Sequence, residues 1–192
     1  LESSVTRFET HKEYRWSKYL LATGQVNSVT EVPQKIFERN TDEHSFTFTL
    51  LCGVPGVGKS TFIKKYLSGS EIISMDEIRA ELGDRRDQSK NKKVALIAKE
   101  RLKEALRKKK NVIWDATSIR QEHREELLSL AESYGAFTRL IVVLNKESRI
   151  RSQNLKREFS VPDEVITRMI NNFQFPSPIE AMSVLYFTSD LD

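Results

Sequence analysis

The segment Gly53-Val54-Pro55-Gly56-Val57-Gly58-Lys59-Ser60-Thr61 sets a glycine, four residues and then Gly-Lys-Ser between an apolar run and an amphipathic one. At average composition this spacing arises by chance on the order of once in 150 chains of this length, and its context makes chance a poorer explanation still. The run before it, Phe46–Cys52, reads as a strand, and the residues from about Ser60 onward read as a helix. That order is what a phosphate cradle requires: the glycines let backbone N–H groups turn inward, and the helix presents its positive end to the same anion. Lys59 would reach the β- and γ-phosphates, and the Ser60 hydroxyl would be a ligand of Mg²⁺.

The rest of the chain supplies a fold for such a loop. Beyond Phe46, short β-rich runs alternate with amphipathic ones, the pattern of strand–helix–strand units. The strand candidates are Phe46–Cys52, Glu71–Ser74, Asn111–Trp114 and Thr138–Leu144, with Ser183–Thr188 as a last one. A long helix is predicted from Val94, Ile97, Ala98, Leu102, Ala105 and Leu106, which recur at helical spacing. Its end, Arg107-Lys108-Lys109-Lys110, suits the negative pole of the helix and reads as a solvated terminus. A second helix spans Gln121–Tyr134 and stops at Gly135. A basic helix over Ser148–Arg157, a break at Glu158-Phe159-Ser160 and a helix over Pro162–Phe173 follow, and Gln174–Pro178 is irregular. The predicted class is α/β: a P-loop NTPase fold with a mostly parallel sheet flanked by helices, a small helical lid and an N-terminal extension. Residues 1–44 carry Tyr14, Trp16, Tyr19, Leu20 and Leu21 but no motif, and read as a helical extension or linker remnant ahead of a domain over residues 45–192.

Composition excludes other classes. Apolar residues at 39% and charged residues at 30% describe a globular chain. No apolar run approaches the roughly 20 residues that cross a bilayer, and the first residues do not form a signal peptide, so the expectation is a cytoplasmic protein with no membrane partner. The single cysteine, Cys52, reads as a small buried hydrophobe in a reducing compartment. A net charge of +4 permits a nucleic-acid partner without requiring one. The chain starts at Leu1 rather than Met, which suggests a piece of a longer protein.

Other nucleotide-binding classes need parts that are missing. A regulatory GTPase reads guanine with Asn-Lys-x-Asp, and Asn145-Lys146-Glu147-Ser148 has Ser in place of that Asp. A motor or AAA-type ATPase would need more chain, whereas a compact kinase fits the length. In open α/β sheets ligands sit beyond the carboxyl ends of the strands, which draws attention to Asp76 and Asp115 after the second and third strands. Asp76 can serve catalysis or cap the helix that follows. Asp115 can support the substrate, stand in the magnesium shell or close a turn.

Taken together, the glycine-rich segment, Asp76-Glu77-Ile78-Arg79, Asp115-Ala116-Thr117-Ser118 and Asn154-Leu155-Lys156-Arg157 followed by Val161-Pro162 resemble the bacteriophage-type polynucleotide 5′-kinases. These share the adenylate-kinase-like P-loop fold, and the resemblance runs from about Phe46 to Phe173. It implies that Asp76 accepts the proton of a 5′-hydroxyl, that Arg79 holds an acceptor phosphate, and that Arg157 clamps the β- and γ-phosphates from a lid. Asp76 and Arg79, at i and i+3, can address one substrate from one helix face. Asp115 and Thr117 would help bind the acceptor, and Gly53, Gly56, Val57, Gly58, Lys59, Ser60, Thr61 and Arg157 would bind the donor. Two departures stand out: Ser118 replaces the Asn common in the family, and the interval from Arg157 to Pro162 is shorter than in the phage enzyme.

The reading is a phosphotransferase that moves the γ-phosphate of ATP or another NTP, with Mg²⁺, to the 5′-OH end of RNA or DNA in end repair. The resemblance also implies fusion to other end-repair domains. The alternatives are a small-molecule or zeta-toxin-like kinase on the same scaffold and a nucleotide-dependent binding module.

Overall fold

The computed structural model describes residues 18, 20–24, 27, 46–83 and 88–188. Within them five strands form one sheet: β1 (Thr47–Cys52), β2 (Glu71–Ser74), β3 (Val112–Asp115), β4 (Phe137–Leu144) and β5 (Ser183–Thr188). Their order is β2-β3-β1-β4-β5, and every neighbouring pair is parallel. The helices between them are α1 (Lys59–Tyr66), α2 (Met75–Glu81), α3 (Asn91–Arg107), α4 (Gln121–Ser133), α5 (Glu147–Leu155) and α6 (Asp163–Asn171). The class expected from the sequence is the class observed, with all five strands parallel.

Strand β1 lies in the middle because it is apolar on both sides. Phe48, Leu50 and Cys52 enter one core layer with Trp114, Leu140, Val142 and the inner faces of α3 and α4. Leu51 points the other way, into a layer with Ile113, Ile141, Val143, Ile63 of α1, Ile150 of α5 and Ile166 of α6. A two-sided core of this kind is why the strand reads as a continuous apolar run rather than an alternating one. Pairing runs from Thr47↔Phe137 to Cys52↔Val142 on one side and from Phe48↔Val112 to Leu50↔Trp114 on the other. The connection from β1 runs to β2 at one edge, and the connection from β3 crosses to β4 on the other side of β1, so the strand order reverses at β1 and the crevice for a ligand opens at its carboxyl end.

The local readings hold with small shifts. The stripe Val94, Ala98, Leu102, Ala105 and Leu106 is buried on α3. The basic run after it is solvated: Lys108 pairs with Glu104 and Lys110 with Glu71. Helix α6 starts one residue later than expected, because Pro162, at φ −54 and ψ 140, is extended and caps the helix instead of entering it. Helix α5 ends at Leu155, before Arg157; the N–H groups of Lys156 and Arg157 tighten onto the carbonyls three residues back.

Of the N-terminal extension, Tyr14, Trp16 and Tyr19 lie outside the described residues. Leu20 is fully buried, and Lys18 donates to Ser129 on α4 at 3.5 Å. Ala22 and Thr23 meet the end of α4 at Gly135, whose φ is +81 and where a Cβ would lie 3.0 Å from Thr23 Cγ2. Both the left-handed backbone and the close approach favour glycine, so Gly135→Ala should cost about 1–2 kcal/mol. Urea unfolding should show a lower midpoint with an unchanged slope.

Candidate active site

The site is built around the loop from Gly53 to Gly58. Gly56 has φ +80 and Gly58 φ +108. A Cβ on Gly56 would come 2.6 Å from the Ile150 carbonyl, whereas one on Gly58 would meet nothing within 4 Å. The first glycine is therefore pressed against α5, and the second faces open space, where a ligand can approach the backbone. Val57 anchors the loop by burying its side chain in the α1–α5 layer. Gly53 N–H donates to the Thr117 carbonyl at 2.9 Å, which ties the loop to the segment after β3.

Helix α1 opens with no side-chain cap and no acidic residue in its first turn, so its first N–H groups are left for an anion. Ser60 and Thr61 are exposed there. Lys59 Nζ donates to the carbonyls of Gly53 at 2.7 Å and Val54 at 3.2 Å. Burial pulls its pKa below the ordinary lysine value and Arg157 adds to this, while Asp115 and Asp76 act in the opposite sense.

Asp76 sits in the first turn of α2, but it is not the cap. Ser74 fills that role, its Oγ accepting from Glu77 N–H at 3.4 Å. The half-exposed Asp76 carboxylate instead accepts from Arg79 Nη1 at 2.7 Å, and Arg157 Nη2 stands 4.0 Å from its other oxygen. Arg79 is only 8% exposed. Its second prong donates to Asn91 Oδ1 at the start of α3, at 3.1 Å. Arg157 is 40% exposed, just past α5. Lys59, Asp76, Arg79, Asp115 and Arg157 thus gather at the carboxyl edge of the sheet, with Thr117 contributing its carbonyl to the loop.

Asp115 ends β3. Burial raises its pKa above the carboxylate range, Asp76 and Glu77 reinforce the shift, and Lys59 and Arg157 oppose it. Just beyond, Ser118 adopts φ +46. Asn tolerates that conformation better than Ser, a physical reason for Asn at this place in the resembled family.

What holds Ser118 is a pair that sequence reasoning missed. Arg124 is fully buried; it donates from Nη1 to the Ser118 carbonyl at 3.0 Å and from Nε and Nη2 to Glu180 at 2.6 and 3.0 Å. Arg124 stands three and four residues before the inward Leu127 and Leu128, so a charge on the core stripe was the available signal; nothing marked Glu180. Cys52 donates to the same Ser118 carbonyl at 3.3 Å, and burial pushes its thiol up to about 11, leaving it inert as a nucleophile.

Beside the loop a cavity of about 330 Å³ opens between α1, α5 and β5, bordered by Thr61, Lys65, Arg149, Gln153, Tyr186 and Phe187. Its mixture of aromatic and polar groups next to the phosphate cradle suits the nucleoside of a bound nucleotide. The donor set also fits Mg²⁺: the Ser60 hydroxyl and a nearby carboxylate are hard oxygens, and among the described residues no group of three or more His, Cys, Asp or Glu could cage an ion alone. Magnesium held largely by phosphate and water needs only one or two protein oxygens.

Because burial outweighs Lys59 at Asp115, its charge works against the nucleotide-free fold. The folded pKa lies above the unfolded one, so the penalty is complete above the folded value and fades as pH falls toward about 3.9. Asp115→Asn should therefore raise the melting temperature of the nucleotide-free protein at pH 7, and the gain should shrink on acidification through that window. Melting curves from pH 4 to pH 7.5 test this; a gain that grows on acidification has the opposite sign.

A family model described as AAA domain matches residues 48–176, from β1 to the segment after α6. Among solved structures, Chaetomium thermophilum Kti12 in complex with ADP-AlF3 superposes with a TM-score of 0.57 at 18% identity, over 76% of this chain and 90% of that one. A gluconokinase from Sinorhizobium meliloti 1021 gives 0.53 at 13% identity, over 78% and 86%. A chain of the Pnkp1/Rnl/Hen1 RNA repair complex gives 0.58 at 19% identity, over 69% of this chain and 45% of that one. At these identities the likeness is one of fold, and the matched unit is of kinase-like size. By the match over residues 48–176, the chain belongs to the family described as AAA domain, although its length spoke against an AAA-type ATPase; the matched unit is a P-loop domain of kinase-like fold.

Proposed function

We propose that this domain transfers the γ-phosphate of ATP or another NTP to the 5′-hydroxyl end of RNA or DNA. The observation that carries the reading is the meeting of Asp76, Arg79 and Arg157 at the mouth of the phosphate loop, with Asp76 within 2.7 Å of one guanidinium and 4.0 Å of the other. The RNA repair chain and the gluconokinase share the fold, so the fold leaves the acceptor open and the reading rests on these residues.

In the proposed reaction the loop N–H groups and the start of α1 hold the β- and γ-phosphates, and Lys59 turns from the Gly53 and Val54 carbonyls onto them. Mg²⁺, when bound at Ser60, supplies positive charge to the phosphate oxygens. Asp76 takes the proton of the acceptor hydroxyl as its oxygen attacks the γ-phosphorus in line and the bond to the β-bridging oxygen breaks, releasing NDP. Arg157 meets the charge on the transferring group. Arg79 aligns Asp76 and offers its guanidinium to the neighbouring acceptor phosphate, while Asp115 and Thr117 border the acceptor from the β3 side. Fusion to further end-repair domains, and a cytoplasmic location, belong to the same proposal.

A second reading is favoured by one observation. Arg79 is nearly buried and already bonds Asp76 and Asn91, which a kinase of small molecules would need for aligning its base without any acceptor phosphate.

A panel of acceptors with γ-labelled nucleotide tests the class. Label should appear on 5′-hydroxyl oligonucleotides, and label only on sugars or other small alcohols would refute the polynucleotide reading. Lys59→Ala should abolish transfer to every acceptor with the fold intact, and Asp76→Asn should bind nucleotide normally while losing about 10²–10⁴-fold in turnover.

Arg79 and Arg157 separate the two readings. Arg157→Ala should lower kcat by about 10³-fold or more, equally for all acceptors. Arg79→Ala should penalise a 3′-phosphorylated nucleotide more than the matching nucleoside, with Lys rescuing only in part because a point charge lacks the two-pronged grip. Equal losses in kcat/KM on both acceptors would leave Arg79 as an aligner of Asp76 and favour the small-molecule kinase.

A further inference from the structure

The buried residues of α5 are Ile150 and Asn154, one helical turn apart. Both press on the phosphate loop at Gly56: a Cβ there would lie 2.6 Å from the Ile150 carbonyl and 3.2 Å from Asn154 Cβ. The end of α5 is thus registered on the loop without an intermediary.

Asn154 also reaches outward. Its Oδ1 accepts from Val161 N–H at 3.0 Å, and its Nδ2 donates to the Val161 carbonyl at 2.8 Å. One carboxamide therefore satisfies both backbone groups of a residue seven positions on, as an adjacent strand would. A planar group with an acceptor and a donor side by side matches a peptide unit; a carboxylate could only accept, and an apolar side chain could do neither. The pairing closes Leu155–Ser160 into a short loop between α5 and α6. Within it Arg157 N–H donates to the Asn154 carbonyl at 3.2 Å, and the Arg157 guanidinium points to Asp76.

We propose that Asn154 is a positioning residue: it clamps the loop that carries Arg157 onto the phosphate loop, so that Arg157 meets the terminal phosphate from a preformed place and not by closure of a free lid. The proposal rests on the role given to Arg157 above. Closing the segment in advance removes loop entropy from the binding step, and an arginine already in place reorganises little as charge develops. The consequence is specific. Asn154 should matter for a ligand with a γ-phosphate and be nearly silent toward a diphosphate, which lacks the transferring group that Arg157 meets in the reading above.

The test is a double-mutant cycle between Asn154→Ala and Arg157→Ala, read by calorimetric affinity for a non-hydrolysable nucleoside triphosphate and for the diphosphate, and by kcat for transfer and for NTP hydrolysis. Asn154→Ala should weaken triphosphate binding by roughly fivefold or more, leave diphosphate binding within about twofold, and lower kcat by about tenfold. In the Arg157→Ala background the same change should move each quantity by less than about twofold, since coupled residues are not additive. Equal factors in both backgrounds, or parallel loss of triphosphate and diphosphate affinity, would overturn the clamp and make Asn154 a packing residue of the phosphate loop. Should Asn154→Ala fail to fold, Asn154→Asp keeps the volume and the bond from Val161 N–H but sets a carboxylate oxygen against the Val161 carbonyl, and carries the same cycle with the same expected pattern. Wild-type triphosphate preference in Arg157→Ala would remove the role of Arg157 and this proposal together. A cycle that behaves as expected in a protein that phosphorylates no 5′-hydroxyl end would support the clamp and refute only the acceptor.

Discussion

A loop that turns several N–H groups toward one point cannot support itself; its conformation has to be held from outside, and the neighbourhood of this site is arranged to do so. Gly56 and Gly58 supply the left-handed backbone, and the Thr117 carbonyl, the Val57 side chain and the Ile150 carbonyl fix where that backbone runs. The segment providing the Thr117 carbonyl is itself strained at Ser118, and Arg124 holds it. Arg124 and Glu180 leave no doubt about their partners: two bonds between them, one to Ser118, and one from Ser177 N–H to Glu180. A buried pair of this kind rarely adds stability over an apolar pair of the same volume, because desolvation offsets most of the attraction. What it does here is specify geometry, joining the end of β1, the segment after β3 and the approach to β5 in one arrangement.

The same compactness sets the electrostatics. Burial opposes the charge on Lys59 and on Asp115, each of which the other partly relieves. A polyphosphate arriving at the loop would favour the charged lysine and disfavour a charged Asp115, which is the electrostatic argument for the cation in the proposed reaction. In the proposed reaction the exposed Ser60 hydroxyl at the start of α1 would offer such a cation a hard oxygen donor. Holding Lys59 and Asp115 in buried places thus works against the stability of the nucleotide-free fold, a common relation between stability and function.

Sequence and structure agree where chemistry and periodicity point the same way. The strands at Glu71–Ser74, Ser183–Thr188 and the core of β1, and the buried stripe of α3, were legible because each is a run of one period bounded by turn residues. Asp76 could not be separated from a helix cap by sequence alone; Ser74 two positions earlier takes the cap because its hydroxyl, from an extended backbone, reaches the N–H of Glu77. Arg79 stood out in the sequence as a candidate site residue but not as a buried one, since its second partner, Asn91, comes from a helix twelve residues on. Glu180 lay beyond reach for the same reason: only the tertiary fold brings it to Arg124.

The short lid follows from these contacts and bears on the acceptor. A long lid that folds over a P-loop excludes water by covering both donor and acceptor, and so favours an acceptor small enough to be enclosed. Here the excursion from Leu155 to Ser160 is held down by Asn154, and it carries Arg157 no farther than the edge of Asp76. Asp76 and Arg157 remain 49% and 40% exposed, so the mouth of the site stays open on the side from which an acceptor hydroxyl would come in the proposed reaction. An acceptor that continues as a chain can enter such a mouth end-on and leave the rest of itself in solvent. A short, fixed lid costs some exclusion of water; in exchange, the site does not have to close around its substrate, and that is the condition the proposed polynucleotide end would impose.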